Sequence, residues 1–255
     1  MLAGGIDSAF RHISSSYERI APMIGSVQGK SGLEIGPGDN LGVADCFLAN
    51  GAKSMFAVEQ FATVQWSEEI RQRVYAKYGA EPAVKPELLV CEFENSPVRN
   101  LDFIYSVDVM EHVLDLRKIF RQAYISLKPG GMFVNAIDFS GHNAFNLEAA
   151  PLNFLICKDW LYHLMHSHIV TSNRCRPGQV VDALGKEGFV VKSVFSTRQA
   201  DEEYVRQSRP RMLPRFRSIP ESELAILEAI IVAQKPLEPG DPVVMSDDPP
   251  GCRPA

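Results

Sequence analysis

Leu33-Glu34-Ile35-Gly36-Pro37-Gly38-Asp39-Asn40-Leu41-Gly42 decides the reading of this 255-residue chain. A short apolar strand, Gly32–Gly36, runs into a glycine-rich turn. Val43, Ala44, Phe47 and Leu48 then mark a helix, with Asp39 or Asn40 as its N-cap. Glycines at such a turn let the backbone approach a ligand closely, and the helix N-terminus offers N–H groups without intrahelical partners. Ligands of open α/β sheets bind at the carboxyl ends of the strands. Glu59 ends the next strand, Ser54–Glu59, where a carboxylate can accept both hydroxyls of a ribose. Together the two features imply a nucleoside cofactor.

Outward from this loop the pattern alternates strand and helix. Ile6, Phe10, Ile13, Tyr17, Ile20 and Ile24 recur at helical spacing and predict an amphipathic N-terminal helix. Trp66–Tyr78 reads as a helix, Leu88–Cys91 and Leu101–Val107 as strands. Leu116, Ile119, Phe120, Ala123 and Leu127 define another helix, stopped by Lys128-Pro129-Gly130-Gly131, and Met132–Asp138 is a fifth strand. The rhythm breaks over 140–176, which carries Asn, His and Trp and one short amphipathic helix at Trp160, Leu161, Leu164 and Met165. It resumes with a helix near Gly178–Lys186 and strands near Val190–Ser196 and Glu228–Lys235. Short apolar strands alternating with helices indicate an α/β fold, a mostly parallel sheet covered on both faces. Residues 140–176 read as a cap insertion after strand 5, and 201–219 as a smaller basic insertion. The domain then spans 1–235, and the Pro-rich, acidic stretch 236–255 reads as a flexible tail.

The kind of nucleoside follows from the same loop. The third glycine, Gly42, comes one residue late for a dinucleotide fingerprint, and Glu34 stands where such strands carry an apolar residue. A carboxylate there repels a pyrophosphate and suits a ligand with an ammonium and a sulfonium. At this point the chain resembles the class I S-adenosylmethionine-dependent methyltransferases. Ala57-Val58-Glu59 looks like their ribose-binding strand end. Ser106-Val107-Asp108-Val109-Met110-Glu111-His112-Val113 resembles their segment after strand 4, and Leu127-Lys128-Pro129-Gly130-Gly131 their turn before strand 5. The four stretches occur in family order. Pro151-Leu152-Asn153-Phe154, Trp160–Met165 and Asn173-Arg174-Cys175-Arg176 are similar to bacterial members associated with polysaccharide or secondary-metabolite clusters.

The resemblance implies a Rossmann-like seven-stranded sheet and S-adenosyl-L-methionine as cofactor, with S-adenosyl-L-homocysteine as product. It implies that Glu34, Gly36 and Gly38 line the methionine end, that Glu59 holds the ribose with Gln60 beside the adenosine, and that Glu92 and Phe93 read the adenine. Ser106 and Asp108 would sit by the amino-acid moiety. Many relatives carry an aspartate where this chain has Cys91-Glu92-Phe93. The acceptor it implies is a hydroxyl on a sugar or natural product; N- or C-methylation is the alternative.

A hydroxyl acceptor benefits from a general base, typically worth about 10²–10⁴-fold. His112, just past strand 4, is one candidate, with loop packing as the plain alternative. His142 is the second, four residues after Asp138, whose carboxylate can orient it. His163, His166 and His168 lack a carboxylate partner at ligand spacing, so no metal site is expected. Arg174 and Arg176 are expected to contact the acceptor, because guanidinium forks suit carboxylate or phosphate. Arg206, Arg209, Arg211, Arg215 and Arg217 can do the same or form a solvated basic loop. Tyr17 either closes the pocket or packs in the core. Trp160, Leu161, Leu164 and Met165 are expected to form the core of the cap.

Composition excludes other classes. Hydrophobic residues make up 45% and charged residues 22%, so a sizeable core is available and collagenous or disordered readings fall away. The net charge of −5 disfavours a general nucleic-acid affinity. No apolar run reaches the roughly 18–20 residues that span a bilayer, and no signal peptide is visible. The five dispersed cysteines (46, 91, 157, 175 and 252) suit reduced thiols in a cytoplasm. The expected partner is a small-molecule acceptor, for a monomer or a homodimer. The competing functions are an NAD(P)-dependent oxidoreductase on the same sheet and a non-catalytic cofactor-binding protein.

Overall fold

The computed structural model describes residues 5–62, 64–65, 67–142, 145, 148–165 and 172–237. Seven strands form one sheet: β1 (Ser31–Ile35), β2 (Ser54–Glu59), β3 (Glu87–Val90), β4 (Leu101–Val107), β5 (Leu127–Asp138), β6 (Val190–Gln199) and β7 (Ile226–Gln234). Their spatial order is β3-β2-β1-β4-β5-β7-β6. β1 to β5 run parallel, and β7 runs antiparallel to both β5 and β6. The order reverses at β1, which has β2 on one side and β4 on the other, so the ligand crevice of an open α/β sheet opens above the ends of β1 and β4.

The sheet divides two cores by strict alternation of side chains. On one face, Phe103 and Tyr105 of β4, Val134 and Ala136 of β5, and Ile230 and Val232 of β7 pack under α1 (Gly5–Ile24), α2 (Gly42–Ala49) and α3 (Glu68–Tyr78). On the other, Ile104, Phe133, Ile137, Ala229 and Ile231 pack under α4 (Leu116–Ser126) and α6 (Pro177–Lys186). The N-terminal periodicity holds: Ile13, Tyr17, Ile20 and Ile24 are buried along one stripe of α1.

Three local details differ from the sequence reading. Lys128-Pro129-Gly130-Gly131 does end α4, but the chain goes straight into extended backbone, so β5 begins at Leu127, which pairs with Leu101. Neither Asp39 nor Asn40 is the N-cap of α2: Leu41 holds that position without a side-chain cap bond, and Asn40 Oδ1, one residue earlier, accepts from the Gly42 N–H at 2.9 Å. The helix after β2 starts at Glu68, where the Ser67 hydroxyl accepts from the Ile70 N–H.

The two insertions meet. Leu152, Phe154, Leu155 and Tyr162 from 140–176 bury against Val205, Met212 and Phe216 from 201–219, over Leu224 and Leu227. Short helices carry this third cluster: α5 (Asp159–Leu164), α7 (Glu202–Ser208), α8 (Pro214–Arg217) and α9 (Glu221–Leu224). The expectation that Trp160, Leu161, Leu164 and Met165 form the cap core is corrected. These four are 37–76% exposed, and Tyr162 is the buried member of α5. The short helix is rotated so that its amphipathic stripe faces out. His166, His168 and residues 238–255 of the expected tail lie outside the described residues. No described helix is long and apolar enough to cross a membrane.

Candidate active site

β1 delivers the glycine loop to the crevice. Gly36 and Gly38 both adopt positive φ, +67° and +71°, a region that favours glycine. A Cβ on Gly36 would also stand 2.7 Å from a Val109 methyl. Gly42 serves a different need: a Cβ there would meet Ile13 Cδ1 at 2.3 Å, so this glycine lets α1 close down on the start of α2. The result is a cavity of ≈ 220 Å³. Glu34, Gly36, Pro37, Gly38 and Asn40 line it from the loop, Val107 and Asp108 from the end of β4, and His12, Ile13 and Ser16 from α1.

The cavity wall is acidic. Glu34 is 5% exposed, and its Oε2 accepts from the Tyr105 hydroxyl at 2.9 Å. Burial pushes its carboxyl up to about 8. Asp108, held at φ +54°, is likewise raised by burial, and its nearest cation is Arg19 at 3.7 Å. Glu59 closes the far side of the loop. One oxygen accepts from the Gly38 N–H and the other from the Phe61 N–H, each at 3.2 Å. A carboxylate offers about four lone-pair sites, so Glu59 retains capacity for the two hydroxyls of a ribose. One buried carboxylate, Glu34, and one that is 41% exposed, Asp108, line the same cavity and favour a cationic ligand over a pyrophosphate.

A second group of side chains follows the same sheet edge. The Glu111-His112 turn after β4 is pinned by Asn173, whose side-chain amide donates to the Met110 and Val113 carbonyls, both at 2.8 Å. The His112 and His142 rings meet edge to face with centroids 5.0 Å apart. His142 Nε2 lies 3.9 Å from Asp138 Oδ2, beyond hydrogen-bond range. Asp138 is shared with Arg198, 3.3 Å away, which also pairs with Glu228 at 2.6 Å. Glu228 in turn lies 3.7 Å from Arg19. A chain of alternating charges, Asp108–Arg19–Glu228–Arg198–Asp138, thus links the cavity to the histidine pair.

The comparisons agree with this geometry. A family profile described as a methyltransferase domain matches residues 8–168. This chain belongs to the methyltransferase-domain family. S-adenosylmethionine is the cofactor of the class I enzymes of this fold. An S-adenosylmethionine-dependent methyltransferase from Mesorhizobium loti is 20% identical, with a TM-score of 0.51, over 90% of this chain and 100% of its own. Geranyl diphosphate C-methyltransferase from Streptomyces coelicolor A3(2), 13% identical, gives 0.52 over 87% and 77%. Phosphoethanolamine N-methyltransferase 2 from Haemonchus contortus, 17% identical, gives 0.53 over 89% and 53%. At these identities the likeness is one of fold. No curated protein matches the sequence significantly.

The methyltransferase fold sorts the remaining sequence candidates. Ser106 is fully buried within the sheet, its hydroxyl bonded to Asn135 Oδ1 at 2.8 Å. Gln60 is exposed beyond β2, and Glu92 accepts from the Asn95 amide. Phe93 is 4% exposed and packs among Val58, Ile35 and Met110.

Two substrate candidates, Tyr17 and Arg176, are corrected. Tyr17 does not close the cavity: its ring packs edge-on against Phe47 and Tyr78 at 4.9 Å, because it shares the apolar stripe of α1. Arg176 is fully buried, and its guanidinium donates to the carbonyls of Phe139, Leu224 and Ile226, tying α6 to β5 and β7. Arg174 donates to the Cys157 carbonyl and the Asp159 carboxylate within the cap, and it lines a separate cavity of ≈ 320 Å³ with Arg215, Asn173 and His163, so it stands as a candidate acceptor contact. In the basic insertion Arg206 pairs with Glu203, Arg209 with Glu221 and Arg215 with Asp159, the last carboxylate shared with Arg174.

The sequence reading missed the contributors from α1 and β6. Ser16 is 3% exposed and interrupts an otherwise apolar stripe, which is the signal that would have found it and its neighbour His12. Arg198 had no such mark; only the β6–β7 register sets it opposite Glu228.

Proposed function

We propose that this protein binds S-adenosylmethionine in the glycine-loop cavity and methylates a hydroxyl of a small-molecule acceptor, a sugar or a natural product. The observation that carries the reading is the pair of carboxylates that line that cavity, the buried Glu34 and the more exposed Asp108. They suit the cationic end of this cofactor and oppose a dinucleotide. Bound, the cofactor supplies an activated methyl group; positioning and exclusion of water then account for much of the rate. Glu34 and Asp108 hold the amino-acid end. Glu59 accepts from the ribose while its loop contacts to Gly38 and Phe61 keep it aimed. α1, through His12, Ile13 and Ser16, shields the cavity from water. The histidine pair stands with Asp138 at the same edge, and in this reading one of the two takes up the acceptor proton.

Calorimetry with S-adenosylmethionine, S-adenosylhomocysteine and NAD(P) tests the cofactor. Binding of the first two is expected; binding of NAD(P) alone would overturn the reading. For the base, His142→Ala and His112→Ala are each compared with the wild type. A base loses turnover by about 10²-fold or more while cofactor affinity holds. Unchanged turnover in either variant removes that histidine from the role.

A further inference from the structure

The same edge holds three side chains whose arrangement the base reading does not use up. Glu111, His112 and His142 each bring one ligand-capable atom to within 4.8 Å of the others. Glu111 is 3% exposed. Its Oε1 accepts from the Asp138 N–H at 3.4 Å, while its Oε2 is buried with no hydrogen-bond partner among the described residues. His142 Nε2 is also buried without a hydrogen-bond partner among the described residues. Buried polar atoms are nearly always satisfied, so two orphans in one cluster call for a third party. Burial and the neighbouring Asp108 and Asp138 carboxylates push the Glu111 carboxyl up to about 8, a cost that a cation at this point would offset.

We propose that Glu111, His112 and His142 bind one divalent transition-metal ion, whose remaining coordination positions face the acceptor. The assignment of the open positions rests on the methyltransferase reading above; the metal site itself does not. Two imidazoles and one carboxylate form a nitrogen-rich set that suits zinc, cobalt(II), iron(II) or manganese(II) rather than magnesium or calcium. Three protein ligands leave room for a substrate oxygen or water, the pattern of reactive rather than structural sites.

The distances permit the site with small motions. Metal–ligand bonds of about 2.0–2.2 Å place adjacent ligand atoms roughly 3–3.5 Å apart, so side chains now within 4.8 Å of one another close by about an ångström. The backbone beneath is already fixed. The Glu111 carbonyl accepts from the Asn173 N–H, and the Asn173 side chain clamps the carbonyls on either side of the turn. Asp138, beside His142 Nε2 and bonded through its N–H to Glu111, supplies the outer charge that such ligand sets use for orientation. In this arrangement His142 acts on the acceptor through the ion and not as its base: a coordinated hydroxyl loses its proton more readily than a free one, and that proton passes to the Asp138 carboxylate beside the site.

The test is a titration of metal-stripped, full-length protein with Co²⁺, followed by visible absorption, and with Zn²⁺ by calorimetry. S-adenosylmethionine affinity is measured in parallel. One ion per chain is expected with an affinity on the order of 10 µM or tighter, and His142→Ala and Glu111→Gln should each weaken it by about 10-fold or more. His163→Ala, on exposed α5, should leave it unchanged. Absence of binding up to about 1 mM, or equal binding in wild type and His142→Ala, overturns the proposal. His142 is half-buried, so this variant decides the matter if Glu111→Gln fails to fold. Metal binding without S-adenosylmethionine binding would leave the site standing and remove the methyltransferase reading. The converse would remove the site alone.

Discussion

Glu34→Gln separates the charge of the cavity wall from its shape. Gln keeps an oxygen to accept the Tyr105 hydroxyl, so the hydrogen bond at 2.9 Å survives and only the ionisable group is lost. In the wild type, burial lifts this carboxyl from 4.5 to about 8. Between those limits the folded protein keeps a proton that the unfolded chain releases, so stability falls as pH rises from about 4.5 to 8 and is level above. At about 1.4 kcal/mol per decade of proton affinity, the ceiling is roughly 5 kcal/mol; water reaching the cavity screens part of this, and we expect about 1–3 kcal/mol. Glu111 contributes a slope of the same sign, so the measure is the difference between wild type and variant across the pH range, from urea melts. The variant should be the more stable protein at pH 8 and equal at pH 4.5. Ligand binding should do the reverse. A cationic cofactor favours the ionised form, so below pH 8 its uptake should release a proton, visible as a dependence of calorimetric heat on buffer ionisation enthalpy. Loss of the charge should weaken S-adenosylmethionine binding by about 10–100-fold, the worth of a charged hydrogen bond. Parallel pH–stability curves, or cofactor binding that is unchanged in Glu34→Gln, would refute the role given to this carboxylate.

Other consequences are as direct. Gly36→Ala places a methyl 2.7 Å from Val109 at φ +67° and should cost about 1–3 kcal/mol, with a loss of cofactor affinity by calorimetry. Gly42→Ala drives a Cβ into Ile13 and should loosen α1 from the cavity, seen as faster proteolysis within α1 and about 1–3 kcal/mol lower stability. Arg176→Met strands the carbonyls of Phe139, Leu224 and Ile226; at about 1–3 kcal/mol for each buried orphan, the expected loss is roughly 3–5 kcal/mol, or about 10 °C in Tm. A normal melting temperature with lost activity would instead return Arg176 to the acceptor site.

The fold was legible because strands buried on both faces are short apolar runs, and helices between them carry their own period. β2 and β4 match their sequence readings residue for residue, and β1 and β3 to within a residue at each end. The glycine loop was legible for a stricter reason: positive φ at Gly36 and Gly38 leaves few alternatives to glycine. What the sequence hid was contact between distant segments. Arg174 and Arg176 carry the charge that recognises anionic substrates, and nothing in their spacing reveals that Arg176 ends beneath β7 or that Asp159 waits for Arg174. Tyr17 was open to two readings, and the stripe it shares with Ile13 and Ile20 decided between them.

That misreading changes where acceptor choice resides. With Arg176 committed within the fold, and Arg206 and Arg209 paired, the positive charge of the cap gathers at Arg174 and Arg215, which share Asp159 in a cavity apart from the glycine loop. At the strand ends Asp108, Asp138 and Glu228 stand against Arg19 and Arg198, and Glu34 and Glu111, both pushed up to about 8 by burial, add negative charge as pH nears that value, so the local balance is acidic. Such an edge disfavours an anionic acceptor, a sugar phosphate among them, unless a cation intervenes. A neutral hydroxyl compound meets no such barrier. The charge of the acceptor and the metal site are therefore one question: neutral acceptors require no ion for binding, whereas a phosphorylated acceptor should be accepted only once a divalent ion occupies Glu111, His112 and His142.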